Sequence, residues 1–224
     1  MTVPEFSNEF DILYNNIMSN QAPGLNEYEK SVFLTLAQEA LIINLYNGSA
    51  KGISFEENEE IKRYLSSLIR TIDIEPSSDK EGLLTDYSTK FNLPEDVMFI
   101  TYEAALTDKL FCEKTKWIPV VASNQDEIYK IINNPFKGAS DNRVLRLDID
   151  DSSVELISKN NIEKYRVRYL SKPTPIILVD LDEYYPNLSI KGKSEVTECV
   201  LDSSLHMEIL NQAVALAKQS YVMQ

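Results

Sequence analysis

Residues 165–192, YRVRYLSKPTPIILVDLDEYYPNLSIKG, decide how the chain is read. Two β-rich runs are broken by a proline turn; a short acidic, cysteine-bearing stretch follows, and then the helical pattern LDSSLHMEILNQAVALAKQSYV at 201–222. In the first run Lys164, Arg166 and Arg168 alternate with Tyr165, Val167 and Tyr169. A strand turns successive side chains to opposite faces, so one sheet face is basic and the other apolar. Asp202, Ser203 and Ser204 offer N-cap oxygens to the closing helix, where Leu205, Ile209, Leu210, Ala213, Leu216, Ala217 and Tyr221 keep helical spacing. Nothing in this cassette is a catalytic motif, which moves the question from chemistry to assembly.

Toward the N-terminus the period is helical. Ser7 is placed to cap a first short helix that lines Phe10, Leu13, Tyr14 and Ile17 on one face and ends in SNQAPG. Asn26 and Glu29 have capping-box spacing and open the longest helix, with Val32, Phe33, Leu36, Ala37, Ala40 and Leu41 as a wide apolar face and Gly48 as its left-handed stop. Ser54 with Glu57 repeats the capping signal for a third helix whose stripe is Ile61, Tyr64, Leu65, Leu68 and Ile69. Three amphipathic helices with short connections predict a bundle.

Residues 73–93 contain proline and glycine, hold no sustained period, and read as a surface loop or arm. Beyond them DVMFITYEAAL, KWIPVVA, RVLRLDI, SVELI, IEKYRVRYL and PIILV read as six strands, in one antiparallel sheet or a small sandwich. Ser123 and Asp126 open a short helix over 124–133 with Ile128, Ile131 and Ile132 inward, stopped by Pro135. The expected fold class is α+β: a helical part at 1–72, a loop or arm at 73–93, a β-rich part at 94–201, and an amphipathic helix at 202–224 packing on the same fold.

Composition narrows the function. A chain of 224 residues, 43% hydrophobic and 25% charged, can bury a full core without disulfides. No run approaches the roughly 20 apolar residues of a membrane span, and MTVPEFSNEF lacks the regions of a signal peptide, so a soluble chain made in a cytoplasm is expected. Cys112 and Cys199 stand far apart in no metal-binding grouping and read as two buried thiols. The net charge of -13 repels phosphate, which disfavours tight nucleic-acid binding. Residues 1–60 carry ten acidic side chains against Lys30 and Lys51, so the helical end supplies most of the acidity.

Candidate chemistry is sparse. IILVDLDEY resembles the first motif of haloacid-dehalogenase-like phosphatases, with Asp180 as nucleophile and Asp182 as proton handler. That family expects Thr or Val where Tyr184 stands, and about forty residues remain for its other motifs; two aspartates in a turn are the plainer reading. Asp148, Asp150 and Asp151 lack the glycine and glutamate of a calcium loop, since those places hold Ser153 and Lys159. His206 is the sole histidine and reads as packing or surface. Neither phosphate-loop glycine pattern occurs. An RNA-binding sheet would need aromatics and arginines on one face, whereas here they oppose. Trp117 beside Pro119 reads as core, with an interface as the lesser option. No cofactor and no enzymatic activity are expected.

Three blocks in order resemble structural proteins of crAss-like tailed bacteriophages, in the group that builds the head-tail connector or ring beneath the portal. They are EFSNEFDILYNNIMSNQAPGLNEYEKSVFLTLAQEALI, then PVVASNQDEIYKIINNPFKGAS leading into RVLRLDI, then RYLSKPTPIILVDL with Cys199 and LHMEILNQAVALAK. The resemblance implies a virion protein forming a homo-oligomeric ring, twelvefold to match a portal, that adapts portal to tail while genomic DNA passes without specific binding. Another tail ring or a head-completion role is the alternative. The candidate subunit-interface residues are Lys164, Arg166 and Arg168 on the basic strand face, expected to meet a neighbour's acidic helices, with Asn134, Pro135 and Phe136 in the second block.

Overall fold

A computed structural model describes residues 1–17, 24–48, 55, 58–109, 112–184 and 187–222. Contacts divide the chain into two compact units: residues 1–68 with 172–224, and residues 69–171.

In the first unit, α1 (Val3–Ile17) starts before Ser7, whose side chain donates to Glu27 Oε1 at 2.9 Å rather than capping. Phe6, Phe10 and Tyr14 form its buried stripe. The loop expected after α1 and the Ser54–Glu57 cap fall outside the described residues. Helix α2 (Glu27–Tyr46) begins in the expected box: the Glu29 amide donates to Asn26 Oδ1 at 2.8 Å and the Asn26 amide to Glu29 Oε2 at 2.9 Å. Gly48 has φ 68°, a left-handed stop that glycine adopts without a steric cost. A short α3 (Glu59–Tyr64) is capped by Asn58.

The buried face of α2 overlaps the one expected at Ala37 and Leu41 but is otherwise rotated from it. Ser31, Leu34, Thr35, Gln38, Leu41, Ile42 and Leu45 point inward, while Leu36 is exposed. The reason lies in PIILV, which is not a sheet strand. Its extended backbone crosses α2, where the Leu178 amide donates to Ser31 Oγ at 3.0 Å and the Ile176 amide to Thr35 Oγ1 at 3.1 Å. Buried amides need acceptors, and the two hydroxyls supply them in place of a neighbouring strand. One bridge, Ile177 to Thr197, ties the segment back to the chain, and Ile177, Leu181 and Ile190 pack with Tyr28 and Val32. Lys30, almost fully buried, joins α1 to α2 through Asp11 at 2.7 Å and Glu27 at 2.9 Å. Burial works against its charge, but the hydrogen bonds it donates to the two carboxylates outweigh that and hold the ammonium above its ordinary range. After α5 (Leu181–Tyr184), helix α6 (His206–Val222) packs on α1 and α2 and buries Ile209, Leu210, Ala213, Val214 and Ala217. Cys199 is half-buried with its thiol pushed up by burial; the Cys112 side chain lies outside the described residues.

The second unit is a seven-stranded sheet in the order β1-β7-β3-β4-β5-β6-β2. Its strands are β1 (Ile69–Ile74), β2 (Ser88–Asn92), β3 (Val97–Lys109), β4 (Cys112–Ala122), β5 (Val144–Asp150), β6 (Ser153–Ile157) and β7 (Asn161–Ser171). All neighbours are antiparallel except β4 and β5, which run parallel across the connection holding α4 (Ile128–Ile132). Phe91 on the edge strand β2 lies 5.3 Å from the ring of Tyr165 on β7, with four strands between them in the order. The sheet therefore curls around one core containing Phe91, Ile118, Val154, Tyr165 and Val167. Outside the curl, α4 covers Leu145, Leu147 and Ile157 with Ile128, so β6 is buried along its whole length. Helix α4 is shorter than the 124–133 span expected and has no side-chain cap.

Residues 73–93, expected as a loop or arm, contain the end of β1 and all of β2. Between these strands the buried carboxylate of Glu155 on β6 accepts from the Leu84 amide at 2.9 Å, the Thr85 amide at 3.4 Å and the Ser88 hydroxyl. The Ser77 amide bonds Lys90 O at 2.8 Å, and Lys90 pairs with Asp79 at 2.7 Å. This polar stretch is fastened by hydrogen bonds as well as by the apolar packing of Leu84 and Phe91.

Candidate functional site

The alternation in β7 holds: Tyr165, Val167 and Tyr169 are buried, Lys164 and Arg168 exposed, and Arg166 half-exposed. Register then builds the outer face. Arg166 lies opposite Asp73 on β1 and Ala104 on β3; Arg168 lies opposite Thr71 and Tyr102; Lys164 lies opposite Leu106, which in turn faces Trp117 on β4. Directly opposed residues share a face, so Tyr102, Trp117 and Pro119 stand among the cations.

Arg166 is held from two sides. Its Nε and Nη2 donate to Asp73 at 2.7 and 2.8 Å, a bidentate pair, and its guanidinium carbon sits 4.2 Å from the centre of the Trp117 ring. Ala104, small and buried, lies between β7 and β4 and leaves room for the arginine to reach across. The hydrogen bonds from Arg166 hold the Asp73 carboxyl below its ordinary range. Trp117 is accordingly half-exposed on the basic face, not core as expected. Lys164 and Arg168 form no ion pair among the described residues, though the Lys164 charge helps to hold the Asp73 carboxyl down. Asp73 and Trp117 were missed as members of this face. The signal for Asp73 was the β-branched run IRTIDI, hidden because Ile69 also fits the stripe of the preceding helix.

On the inner side of the same strands, Arg146 contacts Glu103 Oε1 and lies 3.0 Å from Asp148, while the Tyr165 hydroxyl donates to Glu103 Oε2 at 2.6 Å. Burial pushes the Glu103 carboxyl and the Tyr165 hydroxyl up. The network fastens β3, β5 and β7 and presents no activated nucleophile.

Asn134, Pro135 and Phe136 form a turn after α4. Asn134 Oδ1 accepts from the Phe136 and Lys137 amides at 2.9 and 3.2 Å, and Arg143 Nη1 donates to Phe136 O at 2.9 Å. The Phe136 side chain is 87% exposed.

The remaining candidates are turn and packing residues. Asp180 Oδ1 accepts from the Asp182 amide at 3.1 Å, and Asp182 Oδ2 accepts from Ser194 at 2.6 Å, so both carboxylates fasten the entry to α5. Asp150 accepts from the Ser152 amide and from the Ser152 and Ser153 hydroxyls, which close the β5–β6 hairpin and lower its carboxyl to about 2. His206 is buried: Nε2–H donates to Leu201 O at 3.1 Å and Nδ1 accepts from the Met1 amine at 2.7 Å. Among the described residues no group of His, Cys, Asp and Glu is arranged to hold a metal, and no helix is long and apolar enough to cross a membrane.

Ring protein 3 of Bacteroides phage crAss001 is 48% identical over 222 residues, covering 97% of this chain and 95% of that protein. Ring protein 4/5 of the same phage is 39% identical over 229 residues, covering 99% and 94%. The family model described as phage tail ring protein 3/4 matches residues 1–224, and the chain belongs to that family of crAss-like phage structural proteins.

Proposed function

We propose that the chain closes with identical copies into a ring of the phage particle, non-enzymatic and free of cofactors, that lies between portal and tail and surrounds the path of the DNA. Twelve copies, matching a portal, is the proposed stoichiometry. The observation that carries the reading is the end-to-end likeness to two proteins named as rings in one phage.

Charge supports the mechanical part of the reading. The helical unit holds 17 acidic and 8 basic residues, a balance of -9, and the sheet unit 18 and 14, a balance of -4. An acidic surface repels DNA, so a duplex would pass without adhering. A ring closes when one patch on each copy meets a different patch on the next, repeated by rotation. Lys164 and Arg168 on one copy and the acidic helices of its neighbour are complementary patches of that kind. The family description as a tail ring favours a second placement, lower in the tail.

Cryo-electron microscopy of purified virions tests position and copy number, and native mass spectrometry of the chain with and without portal tests assembly. A closed ring at the head-tail junction is the expected result; a ring found only lower in the tail selects the second placement. A chain that stays monomeric beside the portal and is missing from mature particles overturns both.

A further inference from the structure

We infer that Phe136 is the anchor by which one copy grips the next, seated on the outer stripe of the neighbour's helix α2. The inference rests on the ring reading and names the contact that closes it.

Two observations meet here. The first is the rigidity of a turn whose Phe136 side chain stands out into solvent. Asn134 Oδ1 takes two amides, the Gly138 amide donates to Asn134 O at 2.8 Å, and Arg143 holds the Phe136 carbonyl. A Cβ on Gly138 would stand 2.8 Å from Asn134 O and 3.0 Å from Ile132 O, so the turn tolerates glycine alone at its base. Ile131 and Ile132, just before it, pack into the apolar cluster under α4. A scattered surface phenylalanine needs no explanation. A phenylalanine at 87% exposure on a backbone fixed by four hydrogen bonds is preorganised, and preorganisation lowers the ordering cost of binding.

The second observation is a helix that is apolar on both sides. The inward residues of α2 include Leu34, Leu41 and Leu45, yet Leu36, Ala40 and Ile43 form a second stripe at i, i+4 and i+7, with Leu36 46% and Ile43 39% exposed. Two large aliphatic side chains on one outer stripe leave an apolar strip that a partner can cover. The occupant is a second copy of the chain. Lys137 follows Phe136 directly in the chain, whereas α2 belongs to the unit with the -9 balance, so charge favours bringing the two patches together. They are also different patches, as a closing ring requires.

The test uses the full chain, assembled alone or on purified portal. Phe136→Ala should weaken ring formation about tenfold or more by native mass spectrometry, while Phe136→Leu keeps most of it. Circular dichroism should show both variants folded, since the side chain is exposed. With p-benzoylphenylalanine in place of Phe136, irradiated rings should yield cross-links to residues 27–46 of a second copy, and Leu36→Lys should abolish them. Wild-type rings with undiminished Phe136→Ala assembly, or cross-links elsewhere, overturn the anchor and leave the ring reading standing. Absence of wild-type rings in every setting overturns the ring reading itself.

Discussion

The Leu178 amide donates to Ser31 Oγ at 3.0 Å, so a helix side chain serves as hydrogen-bond partner for a backbone 147 residues away in sequence. Two residues along, the Ile176 amide uses Thr35 Oγ1 in the same way. Both sites are buried. Ser31→Ala and Thr35→Val should each leave a buried amide without an acceptor and cost about 1–3 kcal/mol in urea denaturation. Thr35→Ser, which keeps the hydroxyl, should cost clearly less than Thr35→Val. Equal losses for the two would mean that the methyl group, not the hydroxyl, matters.

Glu155 plays a comparable role in the sheet unit, where a buried carboxylate takes the Leu84 and Thr85 amides and the Ser88 hydroxyl. Hydrogen bonds to a charged acceptor are worth about 1.5–3 kcal/mol each in mutational series. Glu155→Gln offers one oxygen where two were used, so the segment before β2 should loosen. Hydrogen exchange should quicken at the Leu84 and Thr85 amides while the β3 and β7 amides keep their protection. Unchanged exchange at Leu84 would show that other contacts hold the segment.

How far the fold was legible follows from these cases. The alternation of Lys164 to Tyr169 read correctly because a strand with one buried face carries its period openly. The Asn26 and Glu29 box read correctly because capping is local chemistry. The buried face of α2 read only in part: Ala37 and Leu41 are buried as expected, but Leu36 is exposed and the polar residues Ser31 and Thr35 turn inward. PIILV has strand composition, and nothing local announces that its amides will meet hydroxyls from residues 31 and 35. Asp73 and Trp117 were invisible as neighbours of Arg166, because strand order and register are set by long-range packing. Phe136 lies in a block resembling crAss-like proteins, but its exposure is set by the turn after α4, which tertiary contacts from Arg143 and Asn134 fix.

The pH response should pass through His206. Burial lowers its pKa from the ordinary 6.5, so the folded state keeps the ring neutral where the unfolded chain takes up a proton. Stability from this site is therefore complete above pH 6.5 and is lost as pH falls from there toward the lower folded value. The urea midpoint of wild type should drop between about pH 7.5 and about pH 5.5, and His206→Gln should flatten much of that drop. Identical pH profiles for the two proteins would assign the acid response to other groups.

The cations on the basic face should divide into two classes. Arg166 is already bound within its own chain by Asp73 and Trp117, so Arg166→Ala should lower the thermal midpoint of the isolated chain. Lys164 and Arg168 are exposed and form no ion pair among the described residues, so Lys164→Glu with Arg168→Glu should leave the midpoint nearly unchanged. The double variant should instead weaken ring formation, and most strongly at low salt, where exposed charges are least screened. Measuring both properties on both variants separates fold from assembly. If the double variant forms rings as well as wild type at low ionic strength, the complementary charge patches are not what joins neighbouring copies, and the Phe136 contact must act without them.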